Sequence, residues 1–172
     1  HYDAKHRKLF IFDEIYEVKM GNRKLAQEII AATKEGAGGL PVSVKTRVGY
    51  NKVELDVWLP HLIDAKPAAL TVHARTRKEM SLVPARWEHV REAVEMAKGS
   101  GIRIIGNGDV KDLADAKQKA DETGADGVMI GRGIFGNPFL FAGKSLDELS
   151  LEERFRIMIE HTKLFMELLG DV

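Results

Sequence analysis

The 172-residue sequence contains no cysteine, which excludes a disulfide scaffold, a thiolate metal cluster, a catalytic thiol and a redox pair from this chain. It also lacks an excess of either charge, since 26 Lys+Arg stand against 26 Asp+Glu. Without a global basic field, any contact with nucleic acid must come from a local patch. Long apolar runs are missing as well. Runs such as Leu9 to Phe12 stop at four residues, short of the roughly 18 to 20 of a membrane span and the about 7 to 15 of a signal-peptide core. The chain is therefore expected to be cytoplasmic, with no membrane partner. What is present, 44% hydrophobic and 30% charged residues, is the composition of one soluble globular unit. The first residue is His1, and His1 to Gly21 shows no clear period. Residues 1–22 are left unassigned, and the chain is expected to be a piece of a longer one.

Four short apolar runs, Val42 to Thr46, Ala69 to His73, Ile102 to Gly106 and Gly127 to Ile130, read as strands. Their apolar residues are nearly continuous, which suits parallel strands covered on both faces. Between them lie one-sided helical stripes: Leu25, Ile29 and Ala32; Trp87, Val90, Val94 and Ala97; Leu113, Ala116 and Ala120. Glu54 to Ala65 carries a further stripe, with Pro60 either opening a new first turn or kinking the helix. Strand starts recur about every 25 to 33 residues, the length of a right-handed βα unit. This is an α/β chain. A (β/α)₈ barrel needs roughly 250 residues and eight strands, so four strands leave a half barrel, a small doubly wound sheet or a fragment. Beyond them, Leu151 to Leu169 predicts a single amphipathic helix capped by Ser150.

Active sites of parallel α/β folds sit at the carboxyl ends of the strands. The first strand leads into Lys45-Thr46-Arg47. A lysine within a strand is costly to bury unless an anion or ligand acceptor meets it, and the alternative is a side chain that snorkels to solvent. The second ends in His73, followed by Arg75, Arg77 and Lys78, which is either a solvated basic loop or a surface for a phosphate-bearing partner. The third and fourth end in Gly106-Asn107-Gly108-Asp109 and Gly131-Arg132-Gly133. Such turns let backbone N–H groups approach a phosphate, although either alone is also ordinary loop geometry. Asp109 repels phosphate, so it either caps a helix beginning near Lys111 or accepts from sugar hydroxyls. Gly131 to Gly136 matches G-x-G-x-x-G, but Asn137-Pro138 interrupts the helix a dinucleotide fold requires. No motif for a metal site, a P-loop or a serine nucleophile is present.

Taken together, Pro41 to Gly49, Leu70 to Arg77, Ile105 to Val110 and Asp126 to Gly133 resemble the tRNA-dihydrouridine synthase family in order and spacing. The resemblance covers roughly Arg23 to Val172, and His73 to Arg77 is its most specific part. It implies a (β/α)₈ TIM-barrel type fold of which only strands five to eight are present. Residues 23–142 would be the carboxyl half of an FMN-binding barrel, and residues 143–172 the start of a helical tRNA-binding domain. By the same resemblance, Lys45 would hydrogen-bond the flavin ring and His73 would lie against it and line the uracil pocket. Asn107, Gly108, Asp109, Gly131 and Arg132 would hold the ribityl phosphate, with Arg75, Arg77 and Lys78 as candidates for tRNA contact. NADPH would reduce FMN, and the flavin would pass hydride to a uridine flipped out of the tRNA.

The departures from the family pattern carry consequences. The family's proton-donating cysteine has no counterpart in a cysteine-free chain, and only Met20-Gly21 is reminiscent of the segment that would hold it. No catalytic residue is therefore assigned, and the chain alone is expected to be inactive. Unpaired strands and uncovered apolar faces would favour self-association or a need for the other barrel half. Two alternatives stay open: another FMN- or phosphate-binding barrel oxidoreductase acting on a small metabolite, and a non-catalytic phosphate- or RNA-binding half barrel.

Overall fold

The structure is a computed structural model that describes residues 2–3, 8–11, 22–135 and 137–170. Met20-Gly21 and Gly136, the last glycine of the G-x-G-x-x-G match, lie outside the described residues. The chain forms two compact units, His1–Gly133 and Ile134–Val172.

The first unit runs β1 (Tyr2–Asp3), β2 (Lys8–Ile11), α1 (Arg23–Gly36), β3 (Ser43–Gly49), α2 (Leu55–Asp64), β4 (Ala69–Thr76), α3 (Glu88–Ala97), β5 (Arg103–Asn107), α4 (Leu113–Thr123) and β6 (Gly127–Met129). All four expected strands form, as β3 to β6. The segment without a visible period contributes β1 and β2, whose two and four residues are too few to display one.

The strands lie side by side in chain order, with β2 to β6 parallel and β1 antiparallel to β2. A doubly wound sheet reverses its strand order at a switch point and takes helices on both faces. Neither applies among the described residues. Val44, Val48, Leu70, Val72, Ala74 and Ile104 of the sheet join Ile30, Leu55, Leu59, Leu62, Val90 and Ala93 of the helices in one core. This single winding is consistent with part of a barrel of the TIM type, whose helices also stay outside the sheet.

Local chemistry explains the helix limits. α2 passes through Pro60 without a break. Leu55, Trp58, Leu59 and Leu62 are buried on both sides of the proline, each worth about 1.5–3 kcal/mol on burial, and Trp58 Nε1 donates to the buried Thr46 hydroxyl at 2.8 Å. α4 is capped by Asp112, whose side chain accepts from the Asp115 amide. The cap considered for Asp109 is therefore supplied by a residue nearer the helix, and Asp109 is engaged elsewhere.

The second unit holds short 3₁₀ turns at Leu140–Ala142 and Leu146–Glu148, then α5 (Leu151–Leu169). Ser150 and Glu153 form a reciprocal capping box, which fixes the start of α5 where the sequence predicts it. Phe155, Met158, Phe165 and Leu169 are all at least half exposed, and α5 buries no residue. Among the described residues no helix is long and apolar enough to cross a membrane.

Candidate functional site

The sheet face opposite the helices carries two rows of side chains. Lys45, Thr71, Ile105 and Gly127 share one row; Arg47, His73, Asn107 and Met129 share the next, toward the carboxyl ends of the strands. The register follows from parallel pairing, which sets partnered residues on the same face. β3 extends beyond Thr46 to Gly49, and this extension brings Arg47 into line with His73. Arg47 was not singled out from sequence, although its alternation with Lys45 would have placed both on one face.

At the carboxyl ends lies an open cleft of about 800 Å³, lined among others by Arg47, His73, Arg75, Asp109 and Arg132. Of the residues expected at a ligand site, it brings together His73, Asn107, Gly108, Asp109, Gly131 and Arg132. Lys45 is not among the lining residues and stands half-buried one row deeper on the same face.

The turn after β5 is built to a narrow geometry. Gly108 has φ 124°, and a Cβ there would lie 2.8 Å from the Ala85 Cβ, so only glycine fits. Its carbonyl accepts from Trp87 Nε1 at 2.9 Å, and Asn107 Nδ2 donates to the Met129 carbonyl at 2.8 Å, tying the turn to β6. A Cβ on Gly133 would lie 2.4 Å from the Val110 carbonyl oxygen, whereas one on Gly131 would meet open space. The two glycines around Arg132 thus differ: Gly133 permits close packing of neighbouring turns, and Gly131 is under no such constraint.

The three cations after His73 also separate. The side chain of Arg75 is 4% exposed. Its Nε donates to the Val83 carbonyl at 2.5 Å, its Nη2 pairs with Asp109, and its Nη1 lies 3.4 Å from His73 Nε2. Arg77 and Lys78 are exposed, while their amides bond the Gly49 and Tyr50 carbonyls, both at 2.9 Å. The loop is pinned by its backbone and presents two of its cations to solvent.

Electrostatics follow from this packing. The pKa of His73 is pushed down to about 3, first by burial and then by the charges of Arg47, Lys45 and Arg75, against an opposing pull from Asp109. The imidazole is therefore neutral at physiological pH. Burial alone would raise the Asp109 carboxyl. Hydrogen bonds from Arg75 and the Ala85 amide, with the charges of Arg75 and Arg132, overcome it and hold the pKa below the ordinary carboxylate value. Several cations around glycine-rich turns, with one carboxylate already paired, form a donor set suited to an anionic group.

The family description "dihydrouridine synthase" matches residues 18–170. A probable tRNA-dihydrouridine synthase of Staphylococcus aureus (strain MRSA252) is 47% identical over 147 residues, covering 82% of this chain and 43% of that protein. The probable tRNA-dihydrouridine synthase 2 of Bacillus subtilis (strain 168) is 45% identical over 148 residues, covering 83% of this chain and 44% of that protein. The chain thus spans less than half the length of these curated relatives. A family match over most of the chain, on a singly wound sheet with its cationic cleft at the strand ends, shows that the chain belongs to the dihydrouridine synthase family.

Proposed function

We propose that this chain is the carboxyl half of a flavin-binding barrel from an enzyme that reduces uridine to 5,6-dihydrouridine in tRNA, with FMN as cofactor and NADPH as reductant. In this reading β3 to β6 are strands five to eight of the barrel, and residues 143–172 begin a helical tRNA-binding domain. The observation that carries it is the row Arg47, His73 and Asn107 beside the two glycine-rich turns and Arg132. Arg132 and the backbone N–H groups of the turns at Gly108 and Gly131 would hold the phosphate. Neutral His73 would offer a hydrogen-bonding edge toward the flavin and uracil without adding charge, and Lys45 would hydrogen-bond the flavin ring and supply positive charge to it. FMN, when bound and reduced by NADPH, would supply the hydride. With no cysteine in the chain, protonation of the neighbouring uracil carbon has no family donor, and the chain alone is inactive.

The test is titration of FMN into the purified chain, followed in the flavin absorbance bands, with Lys45→Ala and Arg132→Ala alongside. Saturable binding weakened by both substitutions supports the reading; no binding to the unsubstituted chain overturns the flavin assignment. The absence of cysteine favours a second reading, a phosphate- or RNA-binding module without redox function. That reading expects RNA binding to survive while FMN leaves the spectrum unchanged.

Self-association is part of the proposal, because α5 leaves Phe155, Phe165 and Leu168 at least half exposed and large apolar surfaces seek cover. Elution in size-exclusion chromatography above the 19.2 kDa of one chain is expected. A sharp monomer peak at all concentrations counts against it.

A further inference from the structure

Asp109 is the one carboxylate among the described residues that line the cleft, and it is badly suited to hold a phosphate itself. The side chain is 37% exposed, but one of its oxygens is held by the protein. Oδ2 accepts from the buried Arg75 Nη2 and, at 2.8 Å, from the Ala85 amide, while Oδ1 faces Arg132 Nη2 at 3.8 Å. The residue sits in the left-handed backbone region at φ 50°, which aspartate tolerates better than most residues. Three strand-end segments therefore meet at one side chain: the end of β4 through Arg75 with the following loop through Ala85, the turn after β5 through Asp109 itself, and the turn after β6 through Arg132. The preceding carbonyl, of Gly108, is held independently by Trp87.

We propose that Asp109 is a positioning residue for a phosphate-bearing ligand: it binds no ligand, but clamps the Gly108 turn to the loop after β4 and steadies the Arg132 guanidinium at the cleft. The proposal rests on the reading of the cleft as a phosphate site. It separates from the simpler electrostatic expectation by its sign. A carboxylate acting through charge alone repels a phosphate, so removing its charge would tighten binding. A carboxylate that orders the donors makes its removal weaken binding, through Arg132 and only for ligands that carry the phosphate.

The experiment is a double-mutant cycle on the full chain with Asp109→Asn, Arg132→Ala and the pair. FMN and riboflavin are followed by flavin fluorescence and inorganic phosphate by calorimetry. Asp109→Asn is expected to weaken FMN about tenfold, to change riboflavin less than about twofold, and to cost about threefold or less when Arg132 is already alanine. Tighter or unchanged FMN binding in Asp109→Asn overturns the proposal, and so does an equal loss for riboflavin, which would place Asp109 on the phosphate-free part of the ligand. Failure of the flavin reading looks different. Neither flavin would then saturate the unsubstituted chain, while inorganic phosphate would still report the coupling between Asp109 and Arg132; a chain that binds none of the three overturns both readings. If Asp109→Asn loses cooperative melting, Asp109→Glu keeps the charge but displaces it, and the same phosphate-confined loss is expected. Unchanged FMN affinity in that variant counts against the proposal.

Discussion

The guanidinium of Arg75, almost fully buried, is paired with the carboxylate of Asp109, which is 37% exposed. The pair joins segments 34 residues apart, and Arg75 adds a bond to the Val83 carbonyl. Removing one partner of a buried ion pair leaves an uncompensated charge. Here the exposed side of Asp109 lets water take over part of the lost bonding, so Arg75→Ala is expected to cost roughly 1–3 kcal/mol. Urea unfolding would measure it. Arg75→Lys should recover less than half of the loss, because an ammonium cannot reproduce the fork that reaches Val83, His73 and Asp109 together. Full recovery by lysine would mean that only the charge matters.

His73 predicts a pH dependence whose sign follows from burial. Its pKa is about 3 in the folded chain against an ordinary 6.5, so between these values the unfolded state binds the extra proton. Stability must therefore rise with pH through that window and level off above about 6.5, with a slope of at most about 1.4 kcal/mol per pH unit from this one group. Asp109, with its depressed pKa, adds stability that is present above its unfolded value and lost as the pH falls toward its folded one. Below about 4.5 the two effects overlap. Between pH 5 and 6.5 the histidine contribution stands apart, and His73→Gln should flatten the slope of unfolding free energy there. An unaltered slope would show that His73 titrates normally.

The strands β3 to β6 were legible because each is a compact apolar run between helical stripes, and α5 was legible because Ser150 and Glu153 mark its start. The side-chain network at the strand ends was not. Arg75 looked like one of three equivalent cations, since nothing local distinguishes it from Arg77; its burial is decided by Val83 and Asp109, which chain folding brings to it. The sequence names Arg47 at the strand end but assigns it no role, for a related reason. The apolar run ends at Thr46, whereas hydrogen bonding to β4 carries the strand to Gly49. Trp87 read as a core residue and does pack there, yet its indole N–H also holds the Gly108 carbonyl, a role that depends on a segment 21 residues away. Periodicity reports which face is buried, and it carries no information about which distant polar atom will meet a side chain.

The glycines of the two turns give a paired prediction. Gly108→Ala forces a Cβ within 2.8 Å of the Ala85 side chain at a φ of 124°. It should destabilise the chain by more than about 1 kcal/mol and weaken anion binding by distorting the turn. Gly131→Ala puts its Cβ in open space and should stay within about 0.5 kcal/mol of the original stability. Thermal melts of both variants test the contrast. Equal effects would mean that these turns are set by something other than steric fit at Gly108.

Arg77 and Lys78 carry the prediction about RNA. Both are exposed, and their backbone amides are anchored to the Gly49 and Tyr50 carbonyls at the end of β3, so their charges are displayed from a loop whose path is fixed. Neutralising both in Arg77→Ala/Lys78→Ala should leave the fold intact and weaken tRNA binding at low salt. If each cation meets one phosphate, the slope of log affinity against log salt should become shallower by about 1.4 to 1.8. Arg75→Ala, by contrast, removes a buried cation and should leave that slope nearly unchanged while lowering stability. Filter binding across a salt series distinguishes the two classes. A slope that shifts with Arg75 but not with Arg77 and Lys78 would mean that RNA reaches the cleft interior and that the exposed pair is merely solvated.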